Sequence, residues 1–233
     1  MRRRYERMSI APERTDTPAL APQGPLYPTL IFDFDGTIAD TLSAVVRLIN
    51  EHADEFKIQP LADKDVENLR GMSNRDIMKK YQIPLVKMPS LVLRTQKELH
   101  QRIDQVELFP GIRDLILGLK NRGFRLGILT SNSRENVLKF LRARHLDIFD
   151  FIHAESNLFG KTRALLHLLK KYDLRKDEVI YIGDETRDIE ACQNADISVI
   201  AVSWGFHRKE LLRRKNPTYL VDSPEEIENI IFA

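Results

Sequence analysis

The chain has few of the residues and segments that define several protein classes. Its one cysteine, Cys192, has no partner for an internal disulfide and suggests no cysteine metal cluster. It lacks an uninterrupted apolar run of about 18 residues, so we expect no transmembrane helix. Neither sign of charge is in excess, with 36 basic and 34 acidic residues. A length of 233 residues and a hydrophobic share of 42% are those of an ordinary globular protein.

The small net charge of +2 comes from residues 1–28, which hold five arginines and three acidic residues. The rest of the chain carries equal numbers of both signs, which argues against a nucleic-acid binder with a broad basic face. Five of the eleven prolines also lie in residues 1–28, which predicts a flexible leader. This segment lacks the apolar stretch of a secretory signal, and we expect a cytoplasmic protein without a membrane partner.

Short apolar runs after the leader predict strands that are buried on both faces. They cover residues 30–32, 126–130, 179–184 and 197–202, with a shorter candidate at 149–153. Helical patterns alternate with these runs, over residues 133–145, 160–172, 185–195 and 224–232. Such alternation is typical of βαβ units and predicts an α/β fold with a Rossmann-like parallel sheet.

The interval between the first two predicted strands is about 90 residues, far more than one crossover helix needs. Helical patterns fill it at residues 41–56, 63–70, 73–81 and 90–106, and residues 110–121 are predicted to form the crossover helix. We therefore predict a small helical cap over residues 43–106. The α/β core would comprise residues 29–42 and 107–233.

Polar side chains gather where the predicted strands end, which is the edge at which open parallel sheets bind ligands. Clustered carboxylates with no histidine or cysteine among them suit Mg²⁺, and a lysine beside a strand-end hydroxyl suits a phosphoryl group. A carboxylate can also attack phosphorus. The pattern predicts Mg²⁺-dependent phosphoryl transfer at Asp33, Asp35, Thr130, Ser131, Asn132, Lys161, Asp184 and Asp188.

The segment Asp33-Phe34-Asp35-Gly36-Thr37-Ile38 resembles the first motif of the haloacid dehalogenase (HAD) superfamily. The family's second, third and fourth motifs resemble, in order, Thr130, Lys161 and Gly183-Asp184-Glu185-Thr186-Arg187-Asp188. The resemblance covers residues 29–233 and implies a HAD-like core with a helical cap. Trp204-Gly205-Phe206 is similar to phosphoglycolate phosphatase-like members.

The resemblance implies a role for each acidic residue. Asp33 would be the nucleophile, and Asp35 would protonate the leaving alcohol and then activate water. Asp33, Asp184 and the backbone carbonyl of Asp35 would hold Mg²⁺. Asp188 would lie behind these ligands or orient Lys161.

Four further residues would contact the phosphoryl oxygens, namely Thr130, Ser131, Asn132 and Lys161. Because Asp35 is present, the resemblance favours phosphoryl transfer over the dehalogenase reaction. The expected function is a phosphatase of a small phosphorylated metabolite, with phosphoglycolate as a candidate. A phosphomutase of the β-phosphoglucomutase type and a regulatory module of low turnover stay open as alternatives.

Two further expectations concern assembly and the histidines. The chain would act as a monomer or a homodimer. His100, His145, His153, His167 and His207 lack the sequence spacing of metal ligands, and we expect structural roles for them.

Overall fold

The computed structural model describes residues 25–62, 68–70, 72, 79–80, 86, 88–155 and 160–232. Its strands are β1 (Thr29–Phe32), β2 (Arg125–Thr130), β3 (Phe151–Ala154), β4 (Val179–Gly183), β5 (Ser198–Val202) and β6 (Tyr219–Val221). Within the described residues these six strands form one sheet in the order β3-β2-β1-β4-β5-β6, and all pairs are parallel. The predicted α/β class with a parallel sheet is confirmed.

The described α-helices lie before, between and after these strands. They are α1 (Thr41–Glu51), α2 (Ala53–Phe56), α3 (Met88–Gln101), α4 (Ile112–Asn121), α5 (Arg134–Ala143), α6 (Lys161–Lys171), α7 (Thr186–Ala195), α8 (Lys209–Arg213) and α9 (Pro224–Ile231). Short 3₁₀ turns precede α4 and β4, at Ile103–Gln105 and Lys176–Glu178.

Alternation along the strands builds a core on each face of the sheet, because successive side chains point to opposite faces. Leu30 and Phe32 of β1 belong to one apolar cluster, which α4, α5 and α9 cover. Ile31 belongs to the other cluster, which α6, α7 and α8 cover. The runs read as continuous apolar stretches because both faces of the sheet are buried.

The segment between β1 and β2 carries α1, α2 and α3 before the crossover helix α4. These helices contribute to a third apolar cluster, which contains Val46, Ala53, Phe56, Ile58, Leu61, Leu69 and Leu91. The two connections to the sheet run side by side: Asp40 N donates to Glu107 O at 2.9 Å, and Phe109 N donates to Ile38 O at 3.2 Å. The segment thus leaves and rejoins the core at one place.

Local details differ from the sequence expectations. The pattern over residues 41–56 forms two helices, because the chain breaks at His52 between α1 and α2. The pattern over residues 90–106 ends as a helix at Gln101 and continues as the 3₁₀ turn. Strand β6 and helix α8 were not predicted, since each has five residues or fewer and too little pattern to detect. The predicted helices at 63–70 and 73–81 fall largely outside the described residues, as does most of the leader.

Among the residues that the structure describes, no helix combines the length and the apolar character needed to cross a membrane.

Candidate active site

The site begins where β1 ends, at the centre of the sheet. Asp33 N continues the ladder by donating to Ile182 O at 2.8 Å, and Phe34 N donates to Asp33 Oδ1 at 2.7 Å. The chain then turns at Gly36, whose φ of 78° lies in the left-handed region. The turn is closed by Gly36 N, which donates to Ala39 O at 2.9 Å. The turn fixes Asp33 at the carboxyl edge of the sheet, as the strand pattern predicts.

Three carboxylates converge at this edge. Asp33 directly follows β1, Asp184 directly follows β4, and Asp188 lies in the first turn of α7. Each has an oxygen within 4.8 Å of the others, and all three residues are buried. Burial and the neighbouring Asp188 and Asp33 charges raise the pKa of Asp184 well above its ordinary value. Crowded buried carboxylates of this kind call for positive charge among them.

Lys161, the first residue of α6, supplies one such charge. Its Nζ lies 2.6 Å from Asp33 Oδ2 and also pairs with Asp188. Burial by itself would lower the pKa of Lys161, but the carboxylates of Asp188 and Asp33 raise it well above its ordinary value, so the ammonium stays charged. Burial raises the pKa of Asp33 to about 6 although Lys161 opposes this change.

Asp184 sits in a cradle made by two loops. Thr37 Oγ1 donates to its Oδ1 at 2.9 Å, and Phe206 N donates to its Oδ2 at 2.6 Å. Gly36 and Gly205 press against the carboxylate so closely that a Cβ at either position would collide with it. The cradle therefore holds the Asp184 side chain in one orientation.

Asp35 lies beside the cluster and contacts the residues that follow β2. Asn132 Nδ2 donates to Asp35 Oδ1 at 3.1 Å, while Asn132 Oδ1 accepts from Asn136 Nδ2 at 2.9 Å and so fixes the amide. Burial and the charge of Asp33 raise the pKa of Asp35 to about 6. A carboxyl group with such a pKa can hold or release a proton near neutral pH.

The end of β2 forms the wall of a small pocket next to Lys161. Thr130 is buried, and its Oγ1 accepts from Asn132 N at 2.9 Å. The pocket has a volume of about 20 Å³, and its lining includes Thr130, Ser131, Lys161 and Arg187. Hydroxyl, ammonium and guanidinium groups at one place are suited to bind an anion.

Asp188 contributes to the site and to the start of α7. Its Oδ2 accepts from Glu185 N at 2.9 Å in a reciprocal capping box, so the helix terminus holds the carboxylate in place. Glu185 in turn binds Arg187, with Nε to Oε1 at 2.9 Å. Helix capping and the pairing of Lys161 thus depend on the same side chain.

The structure brings all eight predicted positions to this edge, seven of them linked by hydrogen bonds or ion pairs or by the carboxylate cluster, and Ser131 as part of the pocket wall. The carboxylate cluster consists of Asp33, Asp184 and Asp188. The carboxylate of Asp35 instead faces Asn132. Thr37 and the N–H of Phe206 were not predicted as partners of Asp184. Both lie in motifs quoted for the resemblance, but the sequence carries no signal that pairs them across 147 and 22 residues.

Comparison with known proteins assigns the chain to a family. Residues 30–202 match the family model of the haloacid dehalogenase-like hydrolases. A phosphoglycolate phosphatase from Synechococcus elongatus is 36% identical over 199 residues, which are 85% of this chain and 94% of that protein. This chain belongs to the haloacid dehalogenase-like hydrolases. The prediction of a HAD-type phosphatase that resembles the phosphoglycolate phosphatases is confirmed.

Two more relatives of this haloacid dehalogenase-like hydrolase show how widely the match extends. Pyrophosphatase PpaX of Bacillus mycoides is 26% identical over 208 residues, covering 87% of this chain and 96% of that one. A haloacid dehalogenase-like family hydrolase from Streptococcus pneumoniae has a TM-score of 0.74 at 21% identity, covering 87% and 97% of the two chains. The second comparison supports the fold.

Proposed function

We propose that this hydrolase removes the phosphoryl group from a small phosphorylated metabolite in the cytoplasm, through an aspartyl-phosphate on Asp33. One observation carries the proposal: the buried Asp33 carboxylate lies 2.6 Å from Lys161 Nζ and within a cluster of two further carboxylates. A carboxylate held between a cation and a metal-binding group is equipped to attack an anionic phosphoester that would otherwise repel it.

The carboxylate cluster fits a hard divalent cation. Among the described residues, three buried carboxylates face the ammonium group of Lys161, and the side-chain donor set of the cluster consists of oxygen only, which is the preference of Mg²⁺. We assign Asp33, Asp184 and the backbone carbonyl of Asp35 as the ligands, with Asp188 holding Lys161. Bound there, Mg²⁺ would offset the repulsion between the nucleophile and the phosphoryl oxygens.

The two aspartates after β1 divide the chemistry between them. An Asp33 oxygen forms a bond to phosphorus while the bond from phosphorus to the leaving alcohol breaks. Asp35, protonated at first, gives its proton to that alcohol. Asp35 then removes a proton from the water that attacks the aspartyl-phosphate, which releases phosphate and restores Asp33. A pKa near 6 suits Asp35 to both transfers.

Phosphoryl oxygens would be bound by the pocket at the end of β2. Thr130, Ser131 and Asn132 offer hydroxyl, backbone and amide donors, and Lys161 offers its ammonium group. Lys161 pairs with Asp33 in the free enzyme, so we expect it to turn toward the phosphoryl group as the nucleophile is consumed. This exchange keeps the positive charge next to the developing negative charge.

The insertion, assigned as a cap over residues 43–106, would cover the rest of the substrate. A hollow of about 370 Å³ is lined by residues of both the insertion and the core, with arginines at Arg70, Arg208 and Arg214. Arg208 lies two residues after Phe206, whose N–H donates to Asp184, so the same loop contributes to the hollow and to the site. Guanidinium groups suit a substrate whose other end is anionic, and phosphoglycolate, the substrate named for the Synechococcus relative, has a carboxylate there.

The test is a phosphate-release assay in Mg²⁺ with phosphoglycolate, p-nitrophenyl phosphate and pyrophosphate as substrates. We expect turnover of the monoesters, and the two cited relatives make phosphoglycolate and pyrophosphate the informative comparison. Phosphate release without an added sugar bisphosphate favours the hydrolase over the phosphomutase. Failure to release phosphate from any of the three would favour the regulatory module.

The nucleophile is tested by Asp33→Asn, with Asp114→Asn as its matched control. Asp114 is an exposed acid in the first turn of α4 and far along the chain from the carboxylate cluster. Asp33→Asn should keep the circular dichroism spectrum of the wild type and lose hydrolysis of p-nitrophenyl phosphate, while Asp114→Asn keeps both. Full activity in Asp33→Asn would refute the assignment.

A further inference from the structure

A second group of metal-ligand side chains lies outside the carboxylate cluster, between strand β3 and helix α6. His153 and Glu155 are two residues apart along β3 and its extension, so their side chains point to the same face. His167 lies on α6, the helix that covers this face. One ligand atom from each of the three residues lies within 4.8 Å of the others. The sequence did not predict this group, because its residues lie on a strand and a helix and their spacing along the chain follows no metal-ligand motif.

The spacing of His153 and Glu155 matches that of two ligands of one tetrahedral metal ion. His153 Nε2 lies 3.4 Å from Glu155 Oε2, which is longer than most N–H···O hydrogen bonds. Two ligands about 2.1 Å from a tetrahedral zinc ion are roughly 3.4 Å apart, so this pair already has the separation that the metal requires.

The ring centres of the two imidazoles are also separated by a distance that a shared metal ion allows. The ring centres of His153 and His167 are 5.3 Å apart, and the ring planes are inclined by 83°. Imidazoles that share one tetrahedral zinc ion have ring centres about 5.2 Å apart, since each centre lies about 3.2 Å from the metal. A modest closure of the Glu155 and His167 side chains would complete the site.

We propose that His153, Glu155 and His167 bind a transition-metal ion, Zn²⁺ first among them, with water in a fourth position. Two imidazoles and one carboxylate are ligands that zinc accepts, whereas Mg²⁺ prefers oxygen ligands alone. This site is chemically distinct from the carboxylate cluster at Asp33. Solvent reaches it, because Glu155 is one-third exposed and His153 borders a surface hollow of about 440 Å³.

The position of this site connects it with the proposed phosphate pocket. Glu155 N donates to Thr130 O at 2.9 Å, and Glu155 borders the same small pocket as Lys161. His167 lies on the helix that begins with Lys161. A metal ion here would fasten α6 to the edge strand β3. We therefore expect its binding to raise the melting temperature of the protein.

Calorimetric titration of the untagged, metal-free full chain with Zn²⁺ tests the proposal, in a buffer with millimolar Mg²⁺ to fill the carboxylate cluster. We expect one Zn²⁺ per chain and a rise in melting temperature. His167→Ala should weaken binding by at least about 100-fold, because even the loss of a group behind a metal ligand costs 10–100-fold. The control His100→Ala removes an exposed histidine of α3 and should bind as the wild type does.

Substitution with Co²⁺ gives a readout independent of stability. The wild type should show the strong visible absorption of tetrahedral Co²⁺, and His167→Ala should lose it, while phosphate release in Mg²⁺ continues in both. The proposal is overturned if the wild type binds no Zn²⁺ in the presence of Mg²⁺, or if His167→Ala binds it as tightly as His100→Ala. Neither result would bear on the proposed phosphatase, whose test is the loss of activity in Asp33→Asn.

Discussion

At the scale of single residues, the site is a group of carboxyl groups whose environments raise their pKa values. Burial is the largest cause for Asp33 and for Asp35, and both reach a pKa of about 6. The carboxyl group of an unfolded chain has a pKa of 3.8 at either position. At a pH between these two pKa values, the two carboxyl groups are ionised in the unfolded chain and still protonated in the folded chain. Stability therefore falls as the pH rises through this range in the absence of metal.

Asp35→Asn isolates this effect, because asparagine cannot ionise but its oxygen can still accept the hydrogen bond from the Asn132 amide. In the presence of a chelator, the variant should gain stability relative to the wild type as the pH rises from about 4 to 7, by up to roughly 3 kcal/mol. Urea unfolding of both proteins at several pH values measures the difference. A difference that stays constant with pH would contradict the raised pKa of Asp35.

The identity of the site residues could be predicted, but many of their partners could not. Asp33 and Lys161 are 128 residues apart, and the parallel sheet was enough to predict that they meet. The bond from Asn132 to Asp35 and the bond from Thr37 to Asp184 depend on side-chain orientation within irregular loops. No periodicity of the sequence encodes such orientations.

At the scale of elements, two loops from different strands enclose the Asp184 carboxylate. The turn after β1 brings Thr37 and Gly36, and the loop after β5 brings Gly205 and Phe206. Trp204 Nε1 donates to Thr37 O at 3.2 Å and so joins one loop to the other. The metal ligand proposed at Asp184 is thus positioned by both loops together.

Gly205→Ala tests this packing, because the new Cβ would collide with the Asp184 side chain. We expect a lower melting temperature, with a loss of about 1–3 kcal/mol of stability that is typical of overpacking, and a higher Mg²⁺ concentration for half-maximal activity. Differential scanning calorimetry and a Mg²⁺ titration of phosphate release measure the two effects.

The matched control is Gly118→Ala in helix α4, where the added Cβ has only an ordinary contact at 3.4 Å from Glu228. Alanine favours the helix over glycine, so this variant should be as stable as the wild type or more so. If both substitutions had the same small effect, the cradle would not constrain Asp184.

Helices and strands could be predicted where their apolar pattern was long. Where the pattern was short, the prediction failed. The apolar runs of β1, β2, β4 and β5 and the stripe of α6 predicted their types correctly. The break at His52 was missed, because apolar residues continue at helical spacing from α1 into α2. Strand β6 has three residues, too few for alternation to be distinguished from chance.

At the scale of the whole molecule, the fold gathers distant segments at one sheet edge. Asp33, Asp184 and Lys161 come from three elements around the central strand, and the insertion joins the core through two adjacent connections at residues 38–40 and 107–109. This arrangement leaves excess negative charge in a buried place. We therefore expect the folded chain to bind Mg²⁺ more tightly than the unfolded chain does.

Mg²⁺ should raise the melting temperature at neutral pH, because a ligand that binds only the folded state stabilises it, by about 2.7 kcal/mol at 100 times its dissociation constant. Removal of Mg²⁺ with a chelator should reverse the shift and stop phosphate release. Asp184→Asn should lose most of the shift, while the exposed-site control Asp114→Asn keeps it. Equal shifts in these two variants would place the metal elsewhere.

The central claim is that Asp33 becomes phosphorylated, and the most direct measurement is chemical trapping of that species. The enzyme is mixed with p-nitrophenyl phosphate and Mg²⁺, quenched, reduced with borohydride and analysed by peptide mass spectrometry. An aspartyl-phosphate is reduced to homoserine, and we predict homoserine at position 33, with more of it in Asp35→Asn because hydrolysis of the intermediate is slowed. If the wild type turns over substrate but the reduced residue is at another position, Asp33 is not the nucleophile. The same conclusion follows if residue 33 is unmodified in both proteins.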